Sequence, residues 1–232
     1  MTIWFASGNS HKKEELEAIL NAGRPAGAEK ITVLIPAEAG IPFDPDETGG
    51  DFLENALIKA RALYRAIAEI GGAEKAAGIT PGSAKNIPDG VKIIADGVRI
   101  IADDSGLCVD ALGGRPGILS ARYGCENGKK PEAREQNALL LGELGENPNR
   151  KARFVCAMVL LFSPVRFRAV QETLEGELIR EQRGTGGFGY DPIFWLPEKN
   201  RTVAELSAEE KNTLSHRGRA GSAIAKLLSA AI

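Results

Sequence analysis

The apolar pattern changes period once within the first twenty residues. Ile3, Trp4, Phe5 and Ala6 form an unbroken run of strand length, whereas Leu16, Ile19 and Leu20 recur at helical spacing. A buried strand is predicted over Thr2–Ala6 and a helix over His11–Leu20. The joint between them holds Ser7, Gly8, Asn9, Ser10, His11 and Lys12. Small polar residues and lysines at such a joint make either a plain turn or an anion cradle, because a helix start offers unpaired N–H groups and positive partial charge. A second short strand is predicted over Thr32–Ile35, then a turn-rich stretch from Pro36 to Gly50. Beyond it Leu53, Ala56, Leu57, Ala60, Leu63, Tyr64 and Ile67 keep helical spacing, with Thr48 and Asp51 resembling a capping box at the start. Asp51, Asn55 and Lys59 fall at i, i+4 and i+8, a polar stripe along one side of that helix.

Residues 71–90 are rich in Gly, Ala and Pro and read as an excursion. "VKIIA" and "VRIIA" then flank Asp96-Gly97, a hairpin signal. A strand at Leu107–Asp110, a loop "LGGRPGILSARYG" and a helix over Pro131–Leu144 follow. "ARFVCAMVLLF" and "RFRAVQETLEGEL" read as adjacent strands turning at Pro164. After the glycine cluster "RGTGGFGYDPIFWLP" come two helices, one starting at Ser207 with Glu210 as capping box, the other over Ser215–Ala230. Strands and helices mix throughout without an interdomain linker, so a single α/β domain over 1–232 is expected.

Composition narrows the function classes. A chain of 232 residues with net charge −2 carries no global field for nucleic acid or an acidic membrane, so anion binding must come from a local cluster. The 3 cysteines form no C-x-x-C pair, and Met1 runs directly into a short strand. Reduced thiols, no signal peptide, no membrane span and a cytoplasmic location are the expectation. With only 2 histidines, a metal would be held by carboxylates, which favours Mg²⁺ or Mn²⁺ over Zn²⁺.

Four stretches could carry chemistry. In "IADDSG" two apolar residues are expected to end a strand before Asp103, Asp104 and Ser105; the carboxylates suit Mg²⁺ and proton transfer, or else form a solvated turn. "SGNSHKK" is neither a Walker loop nor a dinucleotide fingerprint, yet offers backbone donors and Lys12 to a phosphate. "GTGGFGYDP" brings Phe188, Gly189, Tyr190 and Asp191, suited to stacking and hydrogen bonding with a flat ligand or to a hairpin with aromatics in the core. "EEKNTLSHRGRA" places Lys211, His216 and Arg217 near a helix start, a cationic cluster or an ordinary surface.

Together, in this order, these stretches resemble the inosine triphosphate pyrophosphatase family, along "ETGGDFLENALIKARA", "IADDSGLCVDALGGRPGILSARYG", "ARFVCAMVL", "GTGGFGYDPIF" and "AELSAEEKNTLSHRGRA". The resemblance implies a two-lobed α/β fold with a long central mixed β-sheet flanked by helices, an active cleft between the lobes, and a homodimer. It implies Mg²⁺-dependent cleavage between the α- and β-phosphates of ITP, dITP and XTP, releasing monophosphate and pyrophosphate. Asp104 would accept the proton and ligate the metal with Glu47 or Asp46, Asp103 lying beside it. Ser7 to Lys12 would hold the triphosphate with Lys59, Ser105 and Lys211. Phe188, Gly189, Tyr190 and Asp191, with His216 and Arg217, would hold base and sugar. The chain departs from the family pattern at Ser7, at His11 and in an insertion at about 71–99. A phosphatase of modified pyrimidine triphosphates and a non-catalytic nucleotide sensor are the rival readings. A substrate panel separates the first, and the retained acids and lysines argue against the second.

Overall fold

The N-terminal apolar run forms β1 (Thr2–Phe5), followed by α1 (Ser10–Asn21), β2 (Thr32–Leu34) and α2 (Phe52–Ala76). Next come β3 (Ile100–Val109), α3 (Ala133–Leu144), β4 (Lys151–Ser163) and β5 (Arg166–Leu178). β6 (Phe194–Leu196), β7 (Arg201–Thr202), α4 (Ala208–Leu214) and α5 (His216–Ser229) complete the order, with short 3₁₀ turns between. This is a computed structural model; it describes residues 1–22, 24, 27–76, 98–129 and 131–230, with 71–76 as backbone alone. The first arm of the predicted hairpin and most of the 71–99 segment lie outside the described residues.

Among the described residues the strands make one 7-stranded sheet in the order β2-β1-β3-β4-β5-β6-β7. β1 pairs parallel with β2 and with β3, in register Trp4 to Ile100, whereas β5, β6 and β7 pair antiparallel. The mixed sheet flanked by helices bears out the α/β expectation. No helix among the described residues is long and apolar enough to cross a membrane.

The chain divides into two compact units, Met1–Asp104 with Ala157–Gln171 and Ala220–Ile232, and Ser105–Cys156 with Glu172–Arg219. In the first, Ala56, Ala60 and Leu63 of α2 pack with Ile100 and Ala102 of β3. In the second, Leu107 and Val109 pack with Leu140, Phe154 and Phe194.

Two local expectations are corrected. β3 does not stop before Asp103: its 10 residues run unbroken through Asp103, Asp104 and Ser105, so "DDSG" is neither a turn nor an exposed strand end. At α2 the cap is Asp51 rather than Thr48. Asp51 Oδ1 accepts the Glu54 N–H at 2.8 Å, and Glu54 Oε2 accepts the Gly50 N–H at 2.7 Å. The Ser207–Glu210 capping box forms as predicted.

Candidate active site

Strand parity builds the first group, which lies in the first unit. Ile100 and Ala102 face the α2 core, so Asp104, two residues on, points the same way and reaches the polar stripe. Asn55 Nδ2 donates to Asp104 Oδ2 at 3.1 Å and Lys59 Nζ to Oδ1 at 3.3 Å. Lys59 Nζ also lies 3.1 Å from Glu47 Oε1. Asp103 has the opposite parity, is fully buried, and meets Lys12 Nζ at 3.1 and 3.0 Å from its two oxygens. Asp51 leaves the stripe to cap the helix. Asp46 is exposed, its carbonyl accepting the Thr48 N–H, so of the two neighbouring acids the structure brings Glu47 to Lys59.

Burial pushes the Asp104 carboxyl above its ordinary value of 3.8, against the charges of Lys59 and Lys12 and the Asn55 hydrogen bond, while Glu47 pushes it further up. Burial alone would lower Lys59, but Asp103, Asp104 and Glu47 together hold its pKa above the ordinary 10.5. The two shifts have different origins: burial raises Asp104, whereas the surrounding carboxylates raise Lys59. No group of three or more His, Cys, Asp or Glu side chains converges as a ready-made metal cage among the described residues. Asp104 and Glu47, both drawn to one cation, are still a donor set of the kind Mg²⁺ takes, since it completes its shell with water and phosphate oxygens.

Beside this group the β1–α1 joint is ordered by its own side chains. Ser7 Oγ accepts the Asn9 N–H at 3.2 Å, and Asn9 Oδ1 accepts the Lys12 N–H at 3.1 Å, capping α1. Gly8, Asn9, Ser10 and His11 are exposed, and the first turn of α1 carries no acid. The first turn therefore supplies no carboxylate of its own against the N-terminal field of the helix, where the backbone meets solvent.

The second group lies in the second unit. Lys211 Nζ is 2.8 Å from Asp191 Oδ2, which also accepts the Phe188 N–H at 2.8 Å. The Lys211 ammonium stands 4.3 Å from the Phe188 ring centroid and the Arg217 guanidinium 5.4 Å from it. Arg217 Nη2 donates to Ser105 Oγ at 2.8 Å, and the buried His216 stacks on Phe154 with centroids 4.8 Å apart. Lys211, His216 and Arg217 are therefore not surface residues. Of the two readings of this stretch, Tyr190 takes the core one: its ring belongs to the core, and its hydroxyl donates to the Ser120 carbonyl at 2.9 Å. The Gly189 carbonyl accepts from Asn137 Nδ2 at 3.1 Å. Ser120 and Asn137, which fix this loop from below, carry no sequence signal. Asn55 carried one, as a member of the stripe.

Asp191 thus ties the glycine loop to α4, and Gly187 shows how tightly. Its φ is +68°, and a Cβ there would lie 2.1 Å from Asp191 Oδ2. Gly189 has φ +62° with nothing within 4 Å of its Cβ position. Gly189→Ala should show only backbone strain, ~1–2 kcal/mol. Gly187→Ala adds displacement of the Asp191–Lys211 pair and should lower the melting temperature by several degrees more. Equal melting temperatures would refute the tie.

A family model described as the Ham1 family matches residues 3–227. A curated protein of Treponema denticola, named dITP/XTP pyrophosphatase, is 42% identical over 228 residues, covering 98% of each chain. The solved structure of a HAM1 protein from Coxiella burnetii superimposes with a TM-score of 0.74 at 33% identity, covering 99% of each chain. That of the Staphylococcus aureus Ham1 protein gives 0.73 at 31% identity over 100% of each. Similarity of this extent, in sequence and in fold alike, makes the chain a member of the Ham1 family.

Proposed function

We propose that the protein hydrolyses deaminated purine nucleoside triphosphates, ITP, dITP and XTP, to the monophosphate and pyrophosphate with Mg²⁺, Mn²⁺ substituting. The observation that carries this reading is the pair of carboxylates, Asp104 and Glu47, gathered on Lys59, in a chain so similar to proteins named dITP/XTP pyrophosphatase. Asp104 takes a proton from the water that attacks phosphorus, the new P–O bond forming as the α–β bridging bond breaks. Asp104 and Glu47 would hold the metal, which would supply charge neutralisation at phosphate oxygens. Asp46 stays outside that pair.

Ser7, Gly8, Asn9, Ser10 and His11 offer backbone and side-chain donors to the phosphates, with Lys12, Lys59, Ser105 and Lys211 adding charge or a hydroxyl. Asp103 fixes Lys12. Phe188, Gly189, Asp191, His216 and Arg217 serve base and sugar, with Tyr190 contributing through its backbone alone. A cytoplasmic homodimer is the assembly this reading carries, checked by sedimentation of the purified protein.

Pyrophosphate release from a panel of triphosphates tests the reading. ITP, dITP and XTP should be cleaved with Mg²⁺ and not after chelation, and Zn²⁺ alone should not restore full turnover. A preference for pyrimidine triphosphates, or binding of ITP without pyrophosphate release, overturns it.

A further inference from the structure

Asn55 sits at the crossing of two connections that the proposed chemistry does not explain. It is fully buried. Its Nδ2 donates to Asp104 Oδ2 at 3.1 Å, while its Oδ1 accepts the Gly49 N–H at 2.9 Å. The amide orientation is fixed from both ends, since an N–H needs the oxygen and a carboxylate needs the NH₂. Gly49 lies two residues beyond Glu47. A Cβ on Gly49 would come within 2.7 Å of Asn55 Oδ1 and 2.8 Å of Asn55 N, so the loop touches α2 as closely as only glycine permits.

One turn along α2, Lys59 repeats the same double connection: Asp104 Oδ1 on one side, the Glu47 carboxylate on the other. The result is a closed ring, Asn55–Asp104–Lys59–Glu47–Thr48–Gly49. Its two ties differ in kind. Lys59 is a buried charge on a four-carbon stem, held by attraction to both carboxylates. Asn55 is short, neutral and set in a helix, its own N–H bonded to the Asp51 carbonyl at 3.2 Å.

We infer that Asn55 is a positioning residue, holding Asp104 and the Glu47 loop at a fixed spacing so that both carboxylates meet one divalent cation. The inference rests on the reading of Asp104 and Glu47 as the metal pair. Residues of this kind behind metal ligands typically account for ~10–100-fold in metal affinity.

The test measures Mn²⁺ affinity by electron paramagnetic resonance in the presence of α,β-imido-ITP, beside kcat and KM for ITP at saturating Mg²⁺. Asn55→Ala should weaken Mn²⁺ binding ~10–100-fold and lower kcat with little change in KM. Gly49→Ala attacks the other end of the tie without touching either carboxylate and should reproduce the defect in part. Melting curves confirm that the variants are folded. If Asn55→Ala does not fold, Gly49→Ala decides alone. Mn²⁺ affinity within threefold of wild type in a folded variant overturns the inference. If wild type binds Mn²⁺ but releases no pyrophosphate, the functional reading fails instead, and the two failures are told apart.

Discussion

Asp104→Asn should lower kcat for ITP hydrolysis by ~10²–10⁴-fold, the range typical for loss of a general base. The substitution keeps the shape of the side chain but removes both the proton acceptor and one of the two charges at Lys59. Affinity for the nucleotide should fall far less, because Lys12 and the donors of the β1–α1 joint are not attached to Asp104: Lys12 rests on Asp103. Single-turnover hydrolysis at saturating Mg²⁺, with equilibrium binding alongside, separates the two. A variant keeping more than about a tenth of wild-type kcat would pass the role to another acid.

Position in the fold sharpens the expectation. Asp104 is a buried member of a continuous strand, so its removal bears on stability as well. Its folded-state pKa is raised, chiefly by burial. The folded protein therefore binds that proton more tightly than the unfolded chain does. Ionised Asp104 costs stability at neutral pH, and the cost disappears as pH falls through the raised pKa toward 3.8. Against this gain, the asparagine leaves Lys59 with one carboxylate fewer, although Glu47 remains at 3.1 Å. The two effects oppose, and metal-free melting temperatures should agree within ~4 °C, about 1 kcal/mol for a chain of this size.

The strand error and the α2 success have one explanation. α2 was legible because Ala56, Ala60, Leu63 and Ile67 repeat at the helical period whatever lies around them. "DDSG" reads as a turn because Asp, Ser and Gly lack intrinsic strand preference. It is a strand because neighbouring strands supply the ladder while Lys12, Lys59 and Asn55 engage its carboxylates. Those partners are 45 to 91 residues away in sequence, beyond any window. The same limit separates Phe188 from Tyr190. Both sit in a glycine-rich loop with no period, so nothing local says that one ring lies under two cations while the other enters the core. The candidate residues themselves were legible because their types and order carry the family resemblance, whereas Ser120 acts through its own backbone carbonyl, which accepts from Tyr190, and Asn137 through a long-range hydrogen bond to the Gly189 carbonyl.

ITP should exceed ATP in kcat/KM by ~10⁴-fold or more, the scale reached when a site's hydrogen-bonding groups are left unpaired by the wrong substrate. The second group is rich in donors: the Lys211 ammonium and Arg217 guanidinium stand over Phe188. Its carboxylate, Asp191, already has Oδ2 engaged by Lys211 and by the Phe188 N–H. Hypoxanthine presents an acceptor at position 6 and a donor at N1. Adenine reverses both, bringing an amino group toward donors and a bare ring nitrogen where an N–H is wanted. Two reversed contacts at ~1–3 kcal/mol each give ~2–6 kcal/mol, which reaches the stated ratio at its upper end when water is excluded. Arg217→Met removes a cationic donor and should reduce kcat/KM for ITP strongly while leaving the low value for ATP nearly unchanged, so that the ratio collapses from one side. Parallel kinetics with ITP, XTP and ATP measure it. Comparable kcat/KM for ATP and ITP in the wild-type protein would overturn the prediction, and an Arg217→Met variant with undiminished preference would place base selection elsewhere in the molecule.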